Sequence, residues 1–128
     1  YGAQATNGVR QFAQDPHEDG HMLSFIKPTR EGLVLVKGAS LEPVRLLEGE
    51  IAVLAGSLLT ELSDQSIPAA YHAVLAPKQP VARSSLIYFA NPSPEQRPTS
   101  FFRRKPIDLN SAVNARHTGF GNQPIQLL

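Results

Sequence analysis

Apolar positions along the chain come in short runs rich in Val, Ile, Leu and Phe, each closed by Gly, Pro or a polar cluster. Few of these runs keep a helical period over three turns, so the pattern predicts strands. The candidates are Val9–Phe12, Met22–Ile26, Leu33–Lys37, Val44–Leu47, Ile51–Leu54, Ala70–Leu75 and Ser84–Phe89. Breaks fall at Pro28 and Gly32, Gly38 to Ser40, Gly49, Gly56, Pro77 and Pro80, then Pro92 and Pro94, residues that set turn geometry or cannot donate to a ladder. Ser57–Leu62 reads as a short helix with Ser57 as its cap, and Ser111–His117 as a weaker one. Pro92–Pro98 reads as an extended loop. Strands at this spacing, without alternating helices, predict a mostly β fold of the sandwich or jelly-roll kind.

Length and composition narrow the picture. A chain of 128 residues fits one domain, 1–128, with a β core over about 9–92 and a tail or lid over 93–128. With 18% charged residues and a net charge of +1, nothing favours nucleic acid or an anionic membrane as partner. Arg103-Arg104-Lys105 reads as a solvated face. No apolar run approaches the roughly 18 residues of a membrane span. The absence of cysteine removes disulfides and thiolate ligands, so any metal must be held by His and carboxylate; a cytoplasmic setting is expected. The chain opens at Tyr1 and its single methionine is Met22, inside a predicted strand, which suggests a fragment whose amino-terminal elements lie elsewhere.

The chemistry concentrates in five positions. His17-Glu18-Asp19 is answered 55 residues later by His72, and eleven residues after that come Arg83-Ser84-Ser85. Two imidazoles and a carboxylate hold ferrous iron on one face and leave the other open. A guanidinium beyond them can grip a carboxylate through two hydrogen bonds. Each position also has a plain alternative. The triplet suits a solvated loop, a lone His in a strand is commonly a satisfied core residue, and Arg83 at a strand end can snorkel to water. If the 83–89 segment is a strand, Arg83 and Ser85 leave the same face. In an extended triplet Glu18 points away from Asp19 and stays outside the ligand set. His21 suits a supporting or solvent role. Tyr71 and Tyr88 suit core packing, and His117–Gly121 a turn.

Order, spacing and flanks together resemble the iron(II)/2-oxoglutarate-dependent oxygenases, in the branch that includes isopenicillin N synthase. The signature H-x-D, distal His and R-x-S falls on His17 and Asp19, His72, and Arg83 and Ser85. "HEDGHMLSFI" is similar to the family's H-x-D-x-x-x-L-T followed by two apolar residues. "GLVLV" and "LLEGEIAVLAGSLLTELSDQSIPAAYHAV" are similar to the stretches that lead to the distal His. The resemblance spans roughly Val9 to Pro92. It implies a double-stranded β-helix (jelly-roll) core with short helices, Fe(II) on His17, Asp19 and His72, and 2-oxoglutarate held by Arg83 and Ser85. It further implies dioxygen and a small-molecule substrate, oxidised most simply by hydroxylation, with release of succinate and carbon dioxide. Two alternatives stay open: an isopenicillin N synthase-like oxidase that does not use the oxoacid, and a non-catalytic cupin-like binding module.

Overall fold

A computed structural model describes residues 11–79, 81–119 and 123–124. Its strands are β1 (Phe12–His17), β2 (Leu23–Pro28), β3 (Leu33–Lys37), β4 (Ser40–Pro43), β5 (Ala52–Ala55), β6 (His72–Leu75) and β7 (Ser85–Ala90). Helix α1 is Ser57–Leu62, a 3-10 turn covers Pro94–Gln96, and helix α2 is Leu109–Gly119. The chain is therefore mostly β, with few helices. The strands form two antiparallel sheets, one ordered β1-β6-β3-β4 and the other β5-β2-β7.

Strand alternation explains the core. On β2, Ser24 and Ile26 are buried, and on β5 Ala52 and Leu54 are buried while Val53 between them is exposed. Ile26, Leu33, Ala52, Leu54 and Val74 form the core between the sheets, with Leu35, Val44, Leu46 and Ala70 packed on it. Tyr71 and Tyr88 do not take the core positions expected of them. Both are exposed, and Tyr88 meets Phe25, its cross-strand partner in the β2–β7 register, with ring centroids 6.0 Å apart.

Several boundaries move. The expected strand Val9–Phe12 lies largely outside the described residues; the observed β1 runs from Phe12 through the polar stretch to His17. Val44–Leu47 forms no strand, because β4 closes a hairpin one step earlier, with Lys37 paired to Ser40 and Gly38 at φ +58° taking the turn. The cap of α1 is Gly56 rather than Ser57, whose amide instead donates to the Asp19 carbonyl at 2.8 Å. Pro92–Pro98 contains a 3-10 turn, and His117–Gly119 continues α2 instead of turning; Phe120 and Gly121 lie outside the described residues.

A second core ties the tail to α1. Leu58, Leu62 and Leu109 are buried together, with Met22, Ile107 and Ala112 against them. The Phe101 amide donates to the Leu62 carbonyl at 2.7 Å, and the amides of Phe102 and Arg103 donate to the Asp64 carboxylate. Arg103, Arg104 and Lys105 follow on an exposed turn, in keeping with a solvated face. Leu62→Ala should lower stability by about 2–5 kcal/mol, the usual cost of a buried Leu cavity, read from the urea midpoint. An unchanged midpoint would mean that the tail is not docked on α1.

Candidate metal centre

Two register shifts in β1 build the site. The six residues Phe12–His17 run opposite the four residues His72–Leu75, with Phe12 facing Leu75, Gln14 facing Val74 and His17 facing His72. One extra residue therefore sits between Gln14 and His17, in the Asp15-Pro16 stretch, and Pro16 is tolerated where the ladder is interrupted. His17 thus ends a strand rather than lying in a loop, directly across from His72, with ring centroids 4.4 Å apart. Asp19 follows in the short connection to β2.

The structure brings the expected ligand set together. Each of His17, Asp19 and His72 offers one donor atom, and these atoms lie within 4.8 Å of one another. His17 Nε2 is 3.5 Å from Asp19 Oδ1, and His72 Nε2 is 3.8 Å from Asp19 Oδ2. The side chains are 25%, 14% and 4% exposed for His17, Asp19 and His72, so the cluster sits at the bottom of an opening.

A supporting layer orients these donors. His17 Nδ1 donates to the Asp15 carbonyl at 2.8 Å, and His72 Nδ1 to the Ala70 carbonyl at 2.9 Å. With Nδ1–H engaged, each neutral ring presents its Nε2 lone pair to the cluster, the arrangement that metal-binding imidazoles need. Ser24, fully buried, donates its hydroxyl to Asp19 Oδ2 at 2.5 Å. Burial pushes the Asp19 carboxyl upward, but hydrogen bonds from His17 and Ser24 and the two nearby imidazoles outweigh it, and the net shift is down. The hydrogen bond to Asp19 raises His17, opposed by burial and aided by the Asp15 carbonyl and the Asp19 charge. A metal arriving here would meet a carboxylate already held in its ionised form.

Arg83 and Ser85 lie in the same place. A cavity of about 270 Å³ opens between the sheets, lined by His17, Asp19 and His72 together with Arg83, Ser84, Ser85, Gln14, Ile26, Leu33, Ile87 and Phe89. Arg83 precedes β7 instead of standing on it, yet its Nη1 still donates to Ser85 Oγ at 3.2 Å. Its Nε donates to the Glu31 carbonyl at 3.2 Å, and its Nη2 is buried without a hydrogen-bond partner. Burial lowers the Arg83 pKa. Both observed partners are neutral, and among the described residues no carboxylate pairs with it. A larger hollow of about 400 Å³, lined by Lys27, Arg30, Glu31, Glu48 and Glu50 among others, mixes both signs of charge and brings together no ligand cluster among the described residues.

The remaining expectations also find places. Glu18 lines a separate hollow with Ser57, Thr60 and Glu61 and is not in the cluster. His21 stacks on Phe89 with centroids 4.0 Å apart, and its Nδ1 takes a hydrogen bond from the Asn91 amide at 2.9 Å, so it braces one cavity wall without lining the cavity. Sequence reasoning missed Gln14, Gly56 and the carbonyls of Asp15 and Ala70. Ser24 left a trace, as a hydroxyl on the inward face of an otherwise apolar strand.

No protein-family model and no curated protein matches the chain. Solved structures do. A full-length Neurospora crassa protein in complex with alpha-KG aligns with a TM-score of 0.57 at 26% identity, over 64% of this chain and 29% of that one. The same protein with alpha-KG and thymine gives 0.63 at 22%, over 77% and 31%. A Shewanella oneidensis protein named provisionally as an oxygenase gives 0.70 at 24%, over 92% and 44%. This chain spans less than half the length of each and shares with them a β-rich fold, one that in the Neurospora protein has been crystallised with alpha-KG.

Proposed function

We propose that the chain is the catalytic core of a non-haem oxygenase in which His17, Asp19 and His72 hold ferrous iron while Arg83 and Ser85 hold 2-oxoglutarate. The reaction is oxidation, most simply hydroxylation, of a small molecule, with release of succinate and carbon dioxide. The observation that carries this reading is the pairing of a convergent His-Asp-His cluster with a buried, partnerless guanidinium nitrogen in one cavity. The two sheets are read as halves of a jelly roll, and the His-Glu-Asp motif supports the isopenicillin N synthase-like branch. The Neurospora complexes with alpha-KG and thymine support an oxoacid cosubstrate and a small substrate.

The residues fit both groups. Two neutral imidazoles and one carboxylate suit a ferrous ion and leave one positive charge to be met by an anionic chelate. When bound, iron and 2-oxoglutarate supply the activation of dioxygen and the decarboxylation that drives it. The chain supplies the rest. Asp15 and Ala70 carbonyls fix the ring tautomers, Ser24 anchors Asp19, and Arg83 with Ser85 offers donors to a distal carboxylate, which sets the length of acid that fits. Ile26, Leu33, Ile87 and Phe89 keep the walls apolar, which strengthens each charged contact within.

Anaerobic addition of ferrous iron and 2-oxoglutarate to the full-length protein should produce a visible metal-to-ligand charge-transfer band. Arg83→Ala should require about 10–100-fold more oxoacid to reach the same band, since a hydrogen-bonded charge is lost. Iron binding without the band would favour an oxidase that does not use the oxoacid. No iron binding at all would leave a cupin-like module.

A further inference from the structure

The ladder between β2 and β7 ends with Leu23 opposite Ala90. One step further, the same register would set Met22 against Asn91, and there the pairing passes from main chain to side chain. The Met22 amide donates to Asn91 Oδ1 at 3.1 Å. A main-chain N–H can only donate, so the carboxamide oxygen is fixed at Met22 and the NH2 group is left to donate to His21 Nδ1, 2.9 Å away. Pro92, which has no N–H to extend the ladder, follows at once. The His21 ring, held in this way, lies on Phe89 with the two planes only 19° apart.

Asn91 therefore grips two consecutive residues of the connection that runs from Asp19 into β2, while it stands at the end of β7, the strand that brings Ser85, Ile87 and Phe89 to the cavity wall. Met22 is also held from the opposite side, where its carbonyl accepts the Gly56 N–H. Resting on the ligand assignment under Proposed function, we propose that Asn91 is a positioning residue whose carboxamide locks the exit of the Asp19 connection to the cavity wall of β7. It belongs neither to the ligand cluster nor to the cavity lining, and it acts through Met22 and His21. Through Met22 it fixes where the Asp19 carboxylate stands. Through His21 it fixes the ring that backs Phe89, since stacking alone leaves that ring free to turn in its own plane.

Mn(II) titration of the full-length protein by electron paramagnetic resonance, with proton NMR of the Phe89 ring before metal is added, tests this. Asn91→Leu keeps the size of the side chain and loses both hydrogen bonds. It should bind Mn(II) about 2–10-fold more weakly, and its Phe89 resonances, shielded by the stacked His21 ring, should move toward those of free phenylalanine. His21→Phe keeps a ring on Phe89 and the contact with Met22, so it should weaken Mn(II) binding less. The double variant should bind no more weakly than Asn91→Leu alone, because the bond to His21 is already gone. Asn91 is exposed, so its substitution should not disturb folding, which circular dichroism checks. A merely structural role would lower the urea midpoint and leave both readouts in place. Unchanged Mn(II) affinity in Asn91→Leu, Phe89 resonances that stay put, or additive losses in the double variant overturn this inference alone. Failure of the unsubstituted protein to bind Mn(II) overturns the ligand assignment and this inference with it.

Discussion

Asp19→Ala should abolish metal binding while Glu18→Ala leaves it intact. Asp19 is the sole anion of the cluster, placed 3.5 Å and 3.8 Å from the two Nε2 atoms, and without it two neutral imidazoles face a dication. Altering a group that merely supports a ligand commonly costs 10–100-fold in affinity, so loss of the ligand itself should exceed about 100-fold. The substitution also strands the hydroxyl of Ser24, which is wholly buried and donates to Asp19. Glu18 is one residue away but lines a different hollow, against α1. Ferrous iron or Mn(II) titration of both variants decides the matter. A Glu18→Ala protein that no longer takes up metal would show that the wrong carboxylate has been assigned.

Gly56→Ala should cost the site nearly as much from outside it. A methyl group at residue 56 would overlap the His21 carbonyl and lie 2.9 Å from the Asp19 carbonyl oxygen, both of them backbone atoms. The same short segment holds the connection that carries Asp19 by two hydrogen bonds, Gly56 N–H to the Met22 carbonyl and Ser57 N–H to the Asp19 carbonyl. The loop must move, so both stability and metal affinity should fall, the former by about 3 kcal/mol or more, at the upper end of overpacking effects. Gly38→Ala supplies the contrast. Its site is open and strained only by φ +58°, so it should cost about 1 kcal/mol and leave the metal dissociation constant unchanged. Equal losses of metal affinity in the two variants would refute the link between Gly56 and Asp19.

How far the sequence could be read follows from where its hydrophobic signal lies. β3 and α1 have the limits expected of them, because Leu33–Val36 and Leu58, Leu59 and Leu62 advertise the faces they bury. β1 and β4 were hidden for one reason. All four residues of β4 are exposed, and β1 runs through Gln14, Asp15 and Pro16, so neither carries an apolar run. Val44 and Leu46 gave the opposite error: they pack on the core from a segment without a partner strand. Within the site, the five expected side chains line one cavity. Their supports were invisible, since a carbonyl has no residue code and Gly56 matters through the atoms it lacks.

The uneven pairing of β1 with β6 has a consequence for how this protein can vary. Where one edge uses six residues to match four on the other, the facing of the two imidazoles is fixed by counting along the chain. Replacing a side chain at Ala13 or Asp15 leaves that count intact, whereas adding or removing a single residue there rotates the end of the strand and turns His17 away from its neighbour. The cluster of His17, Asp19 and His72 is guarded less by the identity of its spacer than by its length.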